Sequence, residues 1–486
     1  MPETEKAQIA HLLRRAGFGA TQEELDEFTA MGYDATVREL VYPTPRALDE
    51  PDILQRYYLG NLPPDDHRFP GEDLLLRYYP DISRAEGGFV AKWLYRMLNS
   101  HDPLKERMAL FCHQLFACGG SKAGHPRSNR RQIETFRRVG LTNLRTVLVE
   151  VSKDPAMIFW LDNNENHRVE PNENYGRELL ELFSMGAGNY TEADVKASTQ
   201  AFTGWTFDQP LVGTVYGKWP TKFVYHPEDH DDSEKTFLGE TGRFNGEDII
   251  DIICRQPATA RFVARHLYNF FVADEPPVSA WSQLPPRNIE AIETLSEAYF
   301  SHRGEMRPLM HTLFTSDFFK EAMFQKVKSP TDLVAGLARI MGTFKEPEIG
   351  IGKHLNAMGS MGQTLMNPLT VEGWITGQGW IDGGTLNERV NYAVNEIADT
   401  SVPGTQDLID RLGTDGESVS LERFVDLCLE HAGLSTVSKE TRAGLLSHAH
   451  AGGPIKFRSA ADRAMSETRV GKMLQLVVSA REYQFY

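Results

Sequence analysis

The chain of 486 residues carries 51 Lys and Arg against 67 Asp and Glu, a formal charge of −16; a field of that sign repels phosphate backbones and anionic lipid, which sets nucleic acid aside as a partner. Hydrophobic residues at 41% and aromatics at 10% suffice for a large core and argue against wholesale disorder. No window reaches the roughly 18 consecutive apolar residues of a membrane span. The opening stretch MPETEKAQIAHLLRRAGFGAT has neither an apolar h-region nor a small-residue cleavage site, so the chain as given reads as cytoplasmic. Cys112, Cys118, Cys254 and Cys428 form no Cys-x-x-Cys pair and read as buried free thiols.

Helical periodicity dominates from the start. Gln8–Arg15 is amphipathic and closes at Gly17 and Gly19, and Thr21 with Glu24 forms a capping box for a second helix to about Met31. Pro43 to Pro80 is rich in proline and aspartate and reads as an irregular excursion. Helix-like runs follow at Phe89–Leu98, Leu104–Phe116, Asn129–Val139, Leu144–Lys153, Pro155–Leu161 and Asn174–Met185, and a cap at Thr191 with Asp194 starts another to about Thr203. Between Trp205 and Phe244 short β-prone pieces (Trp205–Phe207, Lys222–Tyr225, Thr236–Leu238) alternate with Gly and Pro, which predicts a small hairpin-like insertion. Helices return at Gly246–Cys254, Ala258–Phe271, Ile289–Phe300, Met306–Phe314 and Thr331–Met341; Gly359–Gly384 reads as a Gly- and Trp-rich loop, and Leu386–Ala480 as helical again. The expectation is a mainly α protein, a large multi-helix body with a small β insertion near residues 205–240. Residues 1–486 read as a single large helical domain, with sub-boundaries near 1–80, 81–345 and 346–486.

The densest polar segment is Pro171 to Val195, PNENYGRELLELFSMGAGNYTEADV. At about 100° per residue Tyr175, Leu179, Leu182 and Phe183 share one face, while Asn174, Glu178 and Glu181 form a stripe at its edge. Carboxylates at the border of a core can have a raised pKa or hold a cation. Asn172 also suits an N-cap, Glu173 the helix dipole, and Arg177 with Glu181 an ordinary surface pair. Asn172, Glu173 and Glu178 are expected to converge with His113 or Asp162 in a partly enclosed pocket. His113 lies in an apolar helix. His226 to Asp232 offers two histidines and four acids, of which His230 and Asp231 stand out because Lys235 and Gly239 follow. Trp205, Trp374 and Trp380 each follow a glycine, a geometry for stacking walls or for core plugs. No Gly-x-Ser-x-Gly elbow or His-Glu-x-x-His is present.

HLLRRAGFGAT (His11–Thr21), PNENYGRELLELFSMG with YTEADV (Pro171–Val195), FTGW (Phe202–Trp205), HDDSEKTFLG (His230–Gly239), PATARFVARHLYNFFV (Pro257–Val272), KSPTDLVAGLAR (Lys328–Arg339) and LVVSAREYQ (Leu476–Gln484) together resemble the bacterial domain-of-unknown-function 1800 family. The resemblance implies one long, mostly helical domain, often on exported proteins and often encoded beside a sulfatase-like family, with no established activity. Where members often show Trp-His-x-His-Phe, this chain has Cys112-His113-Gln114-Leu115-Phe116, and where they often have a histidine after the Glu-Leu of the carboxylate helix it has Phe183.

Three readings stand. The first is a non-catalytic binding or scaffolding protein with a buried acidic and amide cluster, taking a polymer or protein partner. The second is a hydrolase acting on a glycan or other polymer, with Glu173, Glu178 and Glu181 as the acid–base set, Asp162 or Asp231 as partner acid, and Trp205 and Trp374 as walls. The third is a metal-dependent enzyme using His113, His230 and the carboxylates. With the histidines absent at Leu115 and Phe183, neither a metal nor another cofactor is expected. Oligomeric state stays open.

Overall fold

A computed structural model describes residues 2–46, 48, 82–123, 126–208, 221–346, 350–414, 418–434 and 437–486. Most of the excursion expected over Pro43 to Pro80 lies outside the described residues, as does the stretch between the first two β pieces. The chain is 63% helical, and the mainly α expectation holds. Local chemistry sets the helix starts: the side chain of Thr21 accepts from Glu24 and Glu24 returns the bond to open Gln22–Met31. Thr191 and Asp194 do the same for Glu192–Ala201, and Ser329 and Asp332 for Pro330–Met341.

Among the described residues, strand is confined to three antiparallel two-stranded ladders. Trp205–Asp208 pairs with Lys222–Tyr225, and Lys235–Phe237 with Glu240–Gly242, so the expected insertion is two successive hairpins. The third ladder, Ser418–Val419 with Ile455–Lys456, falls in the tail read as helical. Two-residue strands carry too little alternation to register against helical periodicity.

The core is assembled from helix pairs. Pro103–Leu115 packs on Pro126–Val139, Pro257–Phe271 on Ile289–Ser301, and Gly383–Ile397 on Ala460–Ser479. Cys112, Cys118 and Cys428 are buried and all four cysteines are free thiols. At the centre, Arg107 on Pro103–Leu115 is ion-paired with Asp332 on Pro330–Met341 and donates to the Tyr486 hydroxyl at 2.7 Å, which in turn donates to Asp332 at 2.6 Å. Despite its burial, Asp332 is held at about 2 by Arg107 and these hydrogen bonds.

The carboxylate helix is shorter than its periodicity suggests. It runs Asn174–Glu181, after which the Phe183 N–H bonds back to Glu178 and the Gly186 N–H to Leu180. The Ser184 hydroxyl caps the Leu179 carbonyl at 2.5 Å, and Gly186 at φ 80° completes a left-handed stop. The helix lies unusually close to Glu192–Ala201: a Cβ on Gly176 would sit 2.7 Å from Thr199 Oγ1 and 2.9 Å from the Thr199 backbone nitrogen. Gly176→Ala is therefore expected to destabilise by about 1–3 kcal/mol through overpacking, outweighing the ~1 kcal/mol gain in helix propensity. Urea denaturation measures it; an unchanged or raised midpoint would mean that the two helices part at no cost.

Candidate functional site

The loop leading into the carboxylate helix is an asparagine ladder. Asn163 Nδ2 donates to the Trp205 carbonyl at 2.8 Å, and Asn166 Nδ2 donates to the Thr199 carbonyl at 2.9 Å. Asn166 Oδ1 accepts the Asn172 N–H at 3.0 Å, and Asn172 Oδ1 accepts the Asn174 N–H at 3.1 Å. Asn163 and Asn166 satisfy carbonyls of neighbouring elements, while Asn166 and Asn172 satisfy N–H groups at and just before the helix start. Asp162, at φ 58°, accepts from Asn174 at 3.3 Å and from Lys122 at 3.1 Å, while Lys122 also donates to the Trp160 carbonyl at 2.6 Å.

Of the carboxylates, Glu173 points outward and shares Arg177 with Glu192, an exposed arrangement of little energetic weight. Glu181 accepts the Tyr190 hydroxyl at 2.9 Å. Glu178 is different: it is half-buried, and among the described residues its carboxyl has no hydrogen-bond or ion-pair partner. Burial, then Glu181, with Glu372 adding, raises it to about 7 against the opposing Arg177. Glu372 reaches it from the loop that follows Ile351–Ser360. That loop docks on the Gly120–Ala123 turn through Gly120 N–H to the Met366 carbonyl at 3.0 Å and Ser121 N–H to Asn367 at 3.0 Å. It is fixed further along by Gln114, whose side chain donates to the Trp374 carbonyl at 3.0 Å and accepts the Trp374 N–H at 3.4 Å.

Asn174 thus reaches the Asp162–Lys122 pair, and Glu178, four residues along the same helix, feels the charge of Glu372. The expected convergence is divided: Glu173 turns to the surface and His113 is in the core. His113 is 1% exposed, caged edge-on between Trp93 and Trp374, with both ring nitrogens lacking a partner among the described residues; burial lowers it to about 3. Trp205, 3% exposed, donates to Asn245 at 2.8 Å, and Trp374 is buried against His113, so both fill core. His230 is buried, its Nδ1 3.1 Å from the Thr203 carbonyl. Asp231 accepts from Gln200 at 3.0 Å and from the Ser233 N–H at 2.8 Å, while the buried Lys235 donates to the Asp231 and Ser233 carbonyls. That loop is self-satisfied structure. Among the described residues, no three or more His, Cys, Asp and Glu are grouped to hold a metal ion.

A family model described as a protein of unknown function, DUF1800, matches residues 11–485. The chain belongs to the DUF1800 family. No curated protein and no solved structure matches it. In this DUF1800 chain Leu115 and Phe183 are apolar and buried, the Phe183 ring centroid lying 5.6 Å from that of Phe116. Lys122 and Glu372 escaped the sequence reading because neither sits near the carboxylate helix in the chain.

Glu178 generates a pH signature. Its folded pKa of about 7 lies above an ordinary glutamate's ~4.3, so between those values the folded state binds the extra proton and stability falls as pH rises. Glu178→Gln should flatten that decline and raise the melting temperature above pH 7. A wild-type curve identical to the variant's from pH 5 to 8 would show that the carboxyl titrates normally.

Proposed function

We propose that this is a non-catalytic binding protein that takes a partner on the face formed by helix Asn174–Glu181, the Asp162–Lys122 corner and the loop around Glu372. Glu178 carries the reading. The amides of the segment are consumed in holding backbone or Asp162, and the acids beside Glu178 in pairing with Arg177, Tyr190 and Lys122, whereas this carboxyl is half-buried and, among the described residues, left without a partner, at a desolvation cost that a structural role does not require. The loop that presents Glu372 also presents Leu369 at 70% and Ile375 at 59% exposure. Apolar groups beside unbalanced carboxylates suit a partner carrying both basic and apolar groups, such as a cationic segment of a protein or an amine-bearing polymer.

Titration calorimetry with a cationic amphipathic peptide at physiological salt tests this. Glu178→Gln combined with Glu372→Gln, and separately Leu369→Asp, should each weaken binding by about tenfold, or ~1.4 kcal/mol. Asp232→Asn, at an exposed acid elsewhere, should leave it unchanged; equal affinity in all variants would reduce the interaction to the net charge of the chain.

A hydrolase is the second reading, favoured by the same raised pKa. A carboxyl protonated near neutrality beside two other acids has the character of a general acid. Release of reducing ends from a polysaccharide by the wild type and not by Glu178→Gln would replace binding with catalysis.

A further inference from the structure

A cavity of about 740 Å³ lies between the N-terminal helix Pro2–Ala16, the helix Pro330–Met341, the end of Leu421–His431 and the closing residues Tyr483 and Tyr486. Its lining carries more cations than acids although the chain as a whole is strongly acidic. Several are neutralised locally. Lys6 pairs with Asp26 at 3.1 Å and Glu430 at 2.7 Å, Arg339 with Glu24 at 2.5 Å, and Arg442 with Asp426 at 2.6 Å. Two are not. Lys328 is 8% exposed, and among the described residues its ammonium makes no hydrogen bond or ion pair; it lies 3.7 Å from the centroid of the Tyr483 ring. Arg14, on the facing helix, likewise has no hydrogen bond or ion pair among the described residues, and its Nε is buried.

The acid whose charge offsets Lys328 is already occupied. Asp332 lines the same cavity, but its oxygens are taken by Arg107, the Tyr486 hydroxyl and Ser329 at 2.7 Å. Behind Lys328, Arg389 donates to the Lys328 carbonyl at 2.7 Å and to Gln484 at 2.8 Å and brings a further positive charge. Burial, Arg14 and Arg389 together push Lys328 well below the ordinary lysine range, with Asp332 opposing. An uncompensated buried charge is expensive and is retained where a ligand completes it.

The geometry points to a binding site for a phosphate monoester of a small polar molecule, its phosphoryl group seated between Arg14 and Lys328. Two unpaired cations match a group that carries about −1.5 to −2 at neutral pH, better than they match a carboxylate or a sulfate ester with a single charge. The Arg14 guanidinium offers a planar fork to phosphate oxygens and Lys328 a point charge. The volume lies within the range of about 300–1,000 Å³ typical of small-molecule sites, leaving room for an organic remainder beside Phe18 and Tyr483. This site is separate from the face around Glu178 and does not rest on the role given to it.

Calorimetry and thermal melting of the full chain decide it, with glycerol 3-phosphate, glucose 6-phosphate, phosphoserine, glucose 6-sulfate, glucose and inorganic phosphate as probes. At least one phosphate ester is expected to raise the melting temperature and to bind about tenfold or more tighter than the sulfate ester, and tighter than inorganic phosphate, with glucose inert. Lys328→Met and Arg14→Gln should each lose about tenfold or more in that affinity, while the ligand-free melting temperature stays equal or rises, because each removes an unpaired buried cation. That opposite movement separates loss of a site from loss of the fold. No response to any ester, inorganic phosphate binding as tightly as the best ester, or a response retained in both variants overturns the assignment.

Discussion

The buried contact of Arg107 with Asp332 and Tyr486 is the constraint on which the rest hangs. Taking a guanidinium and a carboxylate out of water has a large desolvation penalty, offset only if geometry and additional hydrogen bonds are good; here every Asp332 oxygen is engaged. Loss of one partner from such a pair typically costs about 3–5 kcal/mol, because the other charge is stranded. The pair also sets register. Along the helix from Arg107 come His113 and Gln114, which receive the loop bearing Glu372. One turn before Asp332 comes Lys328, at the mouth of the helix start capped by Ser329. A shift of either helix would therefore displace both the carboxylate face and the cationic cavity.

Much of the architecture was legible because its determinants are local. Capping boxes at Thr21 and Thr191, and prolines at the first turn of helices such as Pro103 and Pro155, act within four residues of sequence, so pattern and structure agree. Disagreements arise where a distant or late contact wins. The carboxylate helix stops at Glu181 because Ser184 and Gly186 satisfy its last carbonyls differently. The ladder joining Ser418–Val419 to Ile455–Lys456 depends on partners far apart in the chain and has no period of its own.

The candidate site was legible in part. Glu178 stood out as an acid on the edge of an apolar face, and that placement accounts for its perturbed titration. The tryptophans and the His230–Asp231 pair carried the same composition signals yet serve packing and loop closure, since a glycine before an indole is equally needed to let backbone approach. Asn172 and Asn174 stood out at the helix start, but that they form one ladder with Asn163 and Asn166 depends on how the loop folds against Thr199 and Trp205. The cationic cavity was invisible from composition for a further reason: Arg14 and Lys328 sit in motifs conspicuous for their glycines and prolines, and only the fold reveals which cations find an acid and which do not.

Gln114 gives the loop around Trp374 an unusual mechanical status. By donating to and accepting from the backbone of a single residue, its side-chain amide acts as a surrogate peptide unit, a strand one residue long. A backbone partner would be held by its neighbours on both sides; this one hangs on a flexible stem, and the indole it secures is buried against a histidine offering no hydrogen bond. The Trp374 stretch of the loop is thus held by one side-chain amide, beside the backbone anchors at Met366 and Asn367, and the exchange of the Trp374 amide proton with solvent would report that contact directly.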